Sequence, residues 1–217
     1  MVTAYLVRHA EAQGNIEEFF QGHINTDVSE KGAKQLEMLA ERFRDISFDA
    51  IYSSPLLRAK KTAEAVNKYH GLSITEDERL IEINGGVWEG VKWTEIGKRF
   101  PESYDKWRNK MWEFQAENGE SMAEVYERMK NAVTDIASKN EEKTIVIVSH
   151  GCALRNFLSY AEFDDITRLA DVGWSDNTAV SEIKFDRNLK PTIVYKNDSR
   201  HLPPELSTLA FSRWCKK

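Results

Sequence analysis

Two short apolar runs, each followed closely by a histidine, constrain the fold of this chain more than any other feature. The run from Thr144 to Val148 is apolar and β-branched, which is typical of a strand that is covered on both faces. Residues 3–7 form a similar run that stops at Arg8, and this run predicts a buried strand. Both runs therefore indicate a sheet that is buried between layers of helices.

Segments with helical spacing alternate with these and other β-prone runs. The predicted strands are residues 3–7, 49–52, 144–148, 179–185 and 192–195, the last two as an antiparallel pair. The predicted helix starts carry Ser29 as an N-cap, Pro55 in a first turn, and a capping box from Ser121 to Glu124. This alternation predicts an α/β three-layer sandwich, with a mostly parallel central sheet flanked by helices.

The segment 85–119 interrupts the alternation and is predicted to be a helical insertion beside the active site. Four tryptophans lie in it among charged residues, at positions 88, 93, 107 and 112. They are as well suited to lining a substrate lid as to packing the insertion. No linker, repeat or low-complexity stretch divides the sequence, so residues 1–217 are predicted to form a single domain. Residues 198–217 are predicted to be a C-terminal tail that packs loosely on the surface.

Composition excludes several classes of partner. The formal charge of −5 and pI near 5.7 give no basic excess for nucleic acid or an anionic membrane. No signal-peptide pattern or long apolar run is found, which predicts no membrane span. Cys152 and Cys215 lie far apart without redox or metal-ligand spacing, so a cytoplasmic location is expected.

Four potentially cationic side chains are predicted to meet at one edge of the sheet. His9 and His150 each follow a buried-strand pattern, Arg8 precedes His9, and Arg58 lies in the first turn after the second strand. The carboxyl edge of an open α/β sheet is where ligands bind. We therefore expect a site for an anion at this edge.

The motifs around these residues resemble those of the histidine phosphatase (phosphoglycerate mutase-like) superfamily. They are Leu6-Val7-Arg8-His9-Ala10-Glu11, Gln21-Gly22-His23, Ser53-Ser54-Pro55-Leu56-Leu57-Arg58-Ala59, Leu80-Ile81-Glu82 and Val148-Ser149-His150-Gly151. They occur in the family's order up to about residue 177. Ala10 departs from the usual glycine, Ala12 from the common threonine and Asn25 from the common aspartate, whereas the four cationic positions are unaltered.

The resemblance implies a metal-independent phosphomonoesterase that acts on a small phosphorylated metabolite, without a cofactor. By the family pattern His9 forms a phosphohistidine, Glu82 protonates the leaving group, and Arg8, Arg58 and His150 stabilise the phosphoryl group. The implied phosphate- or substrate-binding residues are Arg8, Asn15, Gln21, Gly22, Arg58, His150, Gly151 and Arg108. Nothing in the sequence indicates the oligomeric state or the natural substrate.

Three other functions are weighed against this one. A metal-dependent hydrolase with His9, His150 and Glu82 as ligands is disfavoured, because two arginines would repel the cation. A phosphate-dependent regulatory module is disfavoured because all the reacting groups are present. A phosphoglycerate mutase is the main alternative within the family. Mutases of this kind carry Trp-Arg-Arg and a proline-rich insertion, whereas this chain has Trp107-Arg108-Asn109 and no proline between Pro101 and Pro191.

Several conspicuous residues are expected to have no catalytic role. His23 is predicted to be a solvent-exposed loop residue, His70 to be superficial and His201 to be structural. Cys152, two residues after His150, is predicted to be a small buried side chain rather than a nucleophile.

Overall fold

The computed structural model describes residues 1–210. Its strands are β1 (Val2–Arg8), β2 (Ala50–Ser53), β3 (Ile74–Glu76), β4 (Thr144–Ser149), β5 (Val180–Phe185) and β6 (Pro191–Asp198). Its helices are α1 (Gln13–Ile16), α2 (Glu30–Phe43), α3 (Leu57–Val66), α4 (Trp93–Arg99), α5 (Pro101–Asn109), α6 (Met122–Ser138) and α7 (Gly151–Phe163). Short 3₁₀ turns occupy Glu78–Leu80, Gly86–Trp88, Met111–Glu113, Ile166–Asp171 and Pro204–Leu206.

The strands form a six-stranded sheet in the order β3-β2-β4-β1-β5-β6. β3, β2, β4 and β1 run parallel, and β5 and β6 are antiparallel to their neighbours. β1 and β4 are adjacent, with Arg8 opposite Ser149. The carboxyl ends of the two apolar runs therefore meet in the middle of the sheet.

Side chains of alternating direction on the central strands bury both faces of the sheet. In β4, Ile145 and Ile147 pack with α6 and α7, whereas Val146 and Val148 pack with α2 and α3. This explains why the run in β4 is apolar without alternation, since neither face meets water. The predicted three-layer α/β sandwich is confirmed.

The helices begin where the local sequence predicts, except that α3 begins two residues after Pro55. Ser29 Oγ accepts a hydrogen bond from Gly32 N at 2.9 Å, and Ser121 forms the predicted capping box with Glu124. The placement of Pro55 in a first helical turn is wrong by two residues, because Leu56 is still extended (φ −69°, ψ 137°) and α3 begins at Leu57. The three-residue strand β3 was not predicted, since so short a segment has no measurable periodicity.

The segment 85–119 is helical, as predicted, and holds α4, α5 and two 3₁₀ turns. Trp88 is fully buried and contacts Phe114 with ring centroids 4.7 Å apart. Trp107 contacts both Trp88 and Phe20. Trp88 and Trp107 thus form the core of the insertion, with Trp93 packed against them, and join it to the rest of the protein, whereas Trp112 is only half-buried.

The prediction of a loosely packed tail is wrong for the described residues 198–210. Gln35 Nε2 donates to Leu206 O at 2.7 Å, and Thr208 Oγ1 donates to Glu11 Oε2 at 2.8 Å. The backbone N–H groups of Thr208 and Leu209 donate to Asp176 Oδ1 at 2.9 and 3.0 Å. These bonds link residues far apart in sequence, so no local pattern indicated them. Cys215 lies outside the described residues.

Candidate active site

The two histidines lie side by side at the carboxyl ends of β1 and β4. Their ring centroids are 5.1 Å apart with an interplanar angle of 55°. His9 is 3% exposed and His150 is fully buried. The predicted meeting of these side chains follows directly from the parallel pairing of the two strands.

His9 is held as a neutral imidazole with a defined tautomer. Its Nδ1 lies 2.7 Å from the carbonyl oxygen of Ala10, and because a carbonyl only accepts, Nδ1 carries the proton. Burial, with further contributions from Arg58 and Arg8, lowers the pKa of His9 well below its usual value. Nε2 therefore has a lone pair that is available for nucleophilic attack.

Arg8 reaches the site from the last position of β1 and is 5% exposed. Its Nη1 donates to Ser175 O at 2.5 Å. A Cβ atom on Gly151 would stand 3.2 Å from Arg8 Nε and 3.3 Å from Cζ. The glycine at the start of α7 thus leaves the space that the guanidinium group occupies.

Arg58 is fixed by the loop that follows α1. Its Nη1 and Nη2 donate to the carbonyl oxygens of Ile24 and Gly22, both at 2.8 Å. Its Nε is buried with no hydrogen-bond partner among the described residues. Burial lowers the pKa of Arg58 to about 10, so it remains a cation at neutral pH with a donor to offer an anion.

Gly22 is suited to this loop for two reasons. Its φ of +51° lies in the left-handed region that favours glycine, and a Cβ atom there would stand 2.1 Å from Glu89 Oε1. The loop conformation that aims the Gly22 carbonyl at Arg58 therefore depends on this residue.

His150 occupies the N-cap position of α7. Its Nε2 lies 2.7 Å from Ser54 Oγ, and its Nδ1 is buried without a hydrogen-bond partner among the described residues. Burial, followed by the charges of Arg58 and His9, lowers the pKa of His150 well below its usual value. This ring is therefore also neutral.

Glu82 is oriented by three backbone amides. Its Oε1 accepts from Ile83 N and Ala153 N, both at 2.9 Å, and its Oε2 accepts from Cys152 N at 3.1 Å. Cys152 and Ala153 belong to the first turn of α7, where N–H groups lack partners within the helix. The helix start thus fixes the carboxylate at the wall of the same cleft.

Arg8, His9, Arg58 and Glu82 line a cleft of about 550 Å³. The lining includes Arg8, His9, Gly14, Asn15, Gln21, Gly22, Arg58, Glu82, Gly151 and Cys152, together with Phe19, Phe20, Ile83, Trp93, Trp107 and Trp174. The floor is cationic and hydrogen-bonding, and much of the wall is aromatic. Such a cleft suits a small anionic ester whose organic part meets a largely apolar surface.

The sequence matches the profile of the histidine phosphatase superfamily (branch 1) over residues 4–199. That span is most of the chain. The chain belongs to the histidine phosphatase superfamily. Its resemblance to this superfamily, inferred from the motifs, is thereby confirmed.

Among relatives in the superfamily, phosphoserine phosphatase 1 of Hydrogenobacter thermophilus is 32% identical and the match covers 93% of this chain and 95% of that protein. A probable phosphoglycerate mutase of Erwinia tasmaniensis is 35% identical over 71% of this chain and 72% of that one. Among solved structures, YhfR of Bacillus stearothermophilus superposes with a TM-score of 0.86 at 30% identity, covering 93% and 99% of the two chains. A phosphoserine phosphatase of Entamoeba histolytica, solved with phosphoserine, superposes with a TM-score of 0.83 at 26% sequence identity, and the match covers 94% of this chain and 100% of that one. The same Entamoeba enzyme has been solved with 3-phosphoglyceric acid.

Most of the predicted site residues line this cleft, but His150 and Arg108 are not among the lining residues. His150 is fully buried, and its ring packs beside that of His9. Arg108 lies elsewhere. It is exposed and lines a neighbouring depression with Asn109, Met111 and Arg155. Trp107 and Trp174 line both the depression and the cleft. Arg108 therefore follows Trp107, which lines the cleft, but its own side chain lines the neighbouring depression instead.

The other histidines have structural contacts, and the predictions that His23 is solvent-exposed and that His70 is superficial are wrong, since both are half-buried. His23 is half-buried, and its Nε2 donates to Glu82 O at 2.8 Å. The partly buried His70 donates from Nε2 to Phe43 O at 2.9 Å. His201 lies between Arg42 and Thr178, and burial together with the Arg42 charge lowers its pKa to about 4.

Cys152 is buried, as predicted. Burial raises the pKa of its thiol well above the usual value, which leaves the sulfur a poor nucleophile. Within residues 1–210 no group of three or more His, Cys, Asp or Glu side chains is placed to hold a metal ion. In the same range, no helix has the length and apolar character needed to cross a bilayer.

Several residues that support the site were not predicted from the sequence. Asn177 Nδ2 donates to His9 O at 2.8 Å, and Thr62 Oγ1 accepts from Ala10 N at 3.0 Å. Ser54 contacts His150, and Asp176 joins the tail to the segment beside Arg8. What distinguishes these residues is that their polar side chains are buried, and burial of a polar side chain cannot be recognised from the sequence.

Proposed function

We propose that the chain hydrolyses phosphomonoesters of small metabolites by transferring the phosphoryl group to His9 and then to water. One observation carries the proposal. His9 is buried and neutral, its Nδ1–H is bound to Ala10 O, and Arg8 and Arg58 flank it. This combination suits a nucleophile that attacks a phosphorus atom whose oxygens are held by guanidinium groups.

In the first step, the lone pair of His9 Nε2 forms a bond to phosphorus while the bond to the leaving oxygen breaks. Glu82, which lines the same cleft, gives a proton to that oxygen, because an alkoxide is a poor leaving group. Arg8 and Arg58 offset the charge on the equatorial oxygens. The bond from Nδ1–H to Ala10 O stabilises the imidazolium character of the phosphohistidine.

In the second step, water attacks phosphorus after the alcohol leaves. Glu82 takes a proton from the water as the phosphorus–nitrogen bond breaks, which restores a neutral His9 and releases inorganic phosphate. No step calls for a metal ion or a cofactor. Activity is therefore expected to survive prolonged EDTA treatment, and vanadate, which mimics five-coordinate phosphorus, is expected to inhibit.

The test replaces His9 with Ala and uses His70→Ala as the matched control. Intact-mass analysis after an acid-free quench should detect a phosphorylated species in the wild type and in His70→Ala but not in His9→Ala. Released phosphate should fall below a few per cent of the wild-type rate in His9→Ala alone. Substantial turnover in His9→Ala would remove the histidine from the nucleophile role.

A panel of phosphorylated metabolites that includes phosphoserine and 3-phosphoglycerate identifies the substrate. Phosphoserine belongs in the panel because relatives are named for it. Mutase activity is the alternative, tested with 3-phosphoglycerate, a trace of 2,3-bisphosphoglycerate and enolase coupling. The position of Arg108 outside the cleft supports hydrolysis, because it leaves one cation fewer to fix a reorienting substrate. Isomerisation faster than phosphate release from every panel member would favour the mutase.

We further propose that residues 1–217 act as one domain in the cytoplasm. Contacts between the two ends of the described chain support a single domain, since Thr208 bonds to Glu11 and β5 pairs with β1. The free thiol of Cys152 fits a reducing compartment.

A further inference from the structure

Ser54 contacts the ring of His150 and takes no part in the mechanism derived above. It directly follows β2 and is fully buried, and its Oγ lies 2.7 Å from His150 Nε2. The other hydrogen bond to this oxygen comes from Leu56 N, at 3.4 Å. The hydroxyl group thus meets one backbone donor and one imidazole nitrogen.

A neutral imidazole carries a single proton, and that proton has two possible positions in His150. If Nε2–H donated to Ser54 Oγ, the hydroxyl proton of Ser54 would need an acceptor elsewhere. The described residues offer it none besides His150. If instead the Ser54 O–H donates to Nε2, its oxygen accepts from Leu56 N, and among the described residues only the Nδ1–H of His150 is left without a partner. The first arrangement leaves both the Ser54 O–H and the Nδ1 lone pair unpaired among the described residues, whereas the second leaves one donor, so the second is favoured.

The second arrangement places the proton of His150 on Nδ1. That nitrogen is buried without a partner among the described residues, in a ring 5.1 Å from the ring of His9. Because the ring lies beside His9, a protonated Nδ1 would be able to donate to an oxygen of a phosphoryl group on His9, whereas an unprotonated Nδ1 would present that oxygen with a lone pair and repel it. The direction of one hydroxyl group therefore decides whether His150 supports or opposes phosphoryl transfer.

We propose that Ser54 is a positioning residue that selects the Nδ1–H tautomer of His150 and so makes it a hydrogen-bond donor to the transferring phosphoryl group. Ser54 acts through His150 and does not itself touch the substrate. The inference rests on the proposed phosphohistidine mechanism. The tautomer is nevertheless a property of the substrate-free protein, so it can be measured whether or not that mechanism holds.

The decisive measurement is ¹⁵N NMR of histidine-labelled wild-type protein at pH 7.5. The His150 signals are assigned as those missing from His150→Gln. We expect the shifts and couplings of a protonated Nδ1 and an unprotonated Nε2. A proton found on Nε2 would overturn the proposal, whatever the activity of the protein.

Substitutions then test the consequence for activity. Ser54→Ala should lower kcat/KM by about tenfold to hundredfold, as expected for loss of one oriented donor, and should weaken vanadate inhibition similarly. Its His150 signals should show a mixture of tautomers, which a merely structural loss would not produce. Ser54→Thr, which keeps the hydroxyl group, should recover most of the loss.

Ser53→Ala is the matched control, because Ser53 is equally buried and donates to Ser54 O rather than to a histidine. It should retain kcat/KM within about threefold. A Ser54→Ala variant that retains kcat/KM within twofold would contradict the proposal. If Ser54→Ala does not fold, the wild-type spectrum alone decides the question. If His9 never becomes phosphorylated but Nδ1 of His150 is protonated, the proposed function fails while the tautomer assignment stands.

Discussion

Arg8 and Arg58 reach the same cleft by different means. Arg8 is the last residue of β1 and depends on the space left by Gly151, whereas Arg58 lies in the first turn of α3 and is held by two loop carbonyls. Both guanidinium groups are held by carbonyl oxygens of the protein itself. Fixed donors of this kind need little reorganisation during the reaction, which is where their catalytic value lies.

Replacing Gly151 with Ala tests the space around Arg8. The added Cβ atom would press on the guanidinium group at 3.2–3.3 Å, and small displacements of positioning groups are costly in rate. We expect kcat/KM to fall by about tenfold, with little change in melting temperature. Gly173→Ala is the control, since a Cβ atom there meets nothing within 4 Å. Equal rates in the two variants would show that Arg8 tolerates displacement.

Replacing Glu82 with Gln tests the leaving-group acid. The variant should hydrolyse alkyl phosphates about a hundredfold more slowly, because general acid catalysis contributes at this scale. It should lose far less activity on p-nitrophenyl phosphate, whose leaving group scarcely needs a proton. The ratio of the two losses is an internal control for any disturbance of the bonds to Ile83, Cys152 and Ala153. Equal losses on both substrates would exclude Glu82 from the acid role.

At the scale of elements, the start of α7 supplies several parts of the site at once. His150 is its N-cap, Gly151 makes room for Arg8, and the next two amides hold Glu82. A second segment, just before β5, also holds residues of the site in place. The segment from Ser175 to Thr178 bonds to Arg8 and His9, and the C-terminal tail is tied to it through Asp176.

Asp176→Asn tests whether the tail supports the site. The carboxylate accepts from the backbone N–H groups of Asn177, Thr208 and Leu209 and from the Ser207 hydroxyl group. An amide cannot satisfy all of these donors, so we expect a loss of about 1–3 kcal/mol in unfolding free energy and a lower kcat. Urea denaturation and steady-state kinetics measure the two effects.

Asp186→Asn is the control for that experiment. Asp186 accepts from Asn188 N and Lys190 N in the exposed turn between β5 and β6, away from the cleft. Its substitution should leave kcat unchanged. If Asp176→Asn also left kcat unchanged while lowering stability, the tail would be an anchor of the fold without influence on Arg8 and His9.

At the scale of the whole molecule, buried neutral histidines make stability depend on pH. The folded-state pKa values of His9 and His150 lie well below their usual value, and that of His201 is about 4. Below pH 6.5 the unfolded chain binds protons at these positions while the folded chain does not. The contribution of these histidines to the free energy of unfolding is therefore fully present above pH 6.5 and is lost as the pH falls toward their folded-state pKa values.

We expect the unfolding free energy to fall between pH 6.5 and 5 by about 1 kcal/mol per pH unit for each such histidine. Urea denaturation at several pH values measures the slope. His9→Gln removes one titrating group, so its slope should be shallower than that of the wild type. Identical slopes would mean that His9 takes up a proton in the folded state.

The sequence by itself determined the layers and the position of the reacting groups. Short apolar runs predict buried strands, and in β1 and β4 the run ends just before His9 and His150. Since parallel strands share a carboxyl edge, both histidines were expected at that edge, and the pairing of β1 with β4 then brings their rings together. The position of Arg58 after the second strand also placed it at this edge, and the family motifs added Glu82; both residues line the cleft.

Only the tertiary structure decided what holds these groups in place. Ser54, Asp176 and Asn177 contact residues that lie 32 to 168 positions away in the chain, and no periodicity reports such contacts. The place of Arg108 depends on which face of α5 meets the cleft, which Trp107 decides by packing against Phe20 and Phe114. Patterns along the chain specify elements because backbone geometry is local. The partners of a buried polar group are specified only when distant elements pack, and that is where the site acquires its hydrogen bonds.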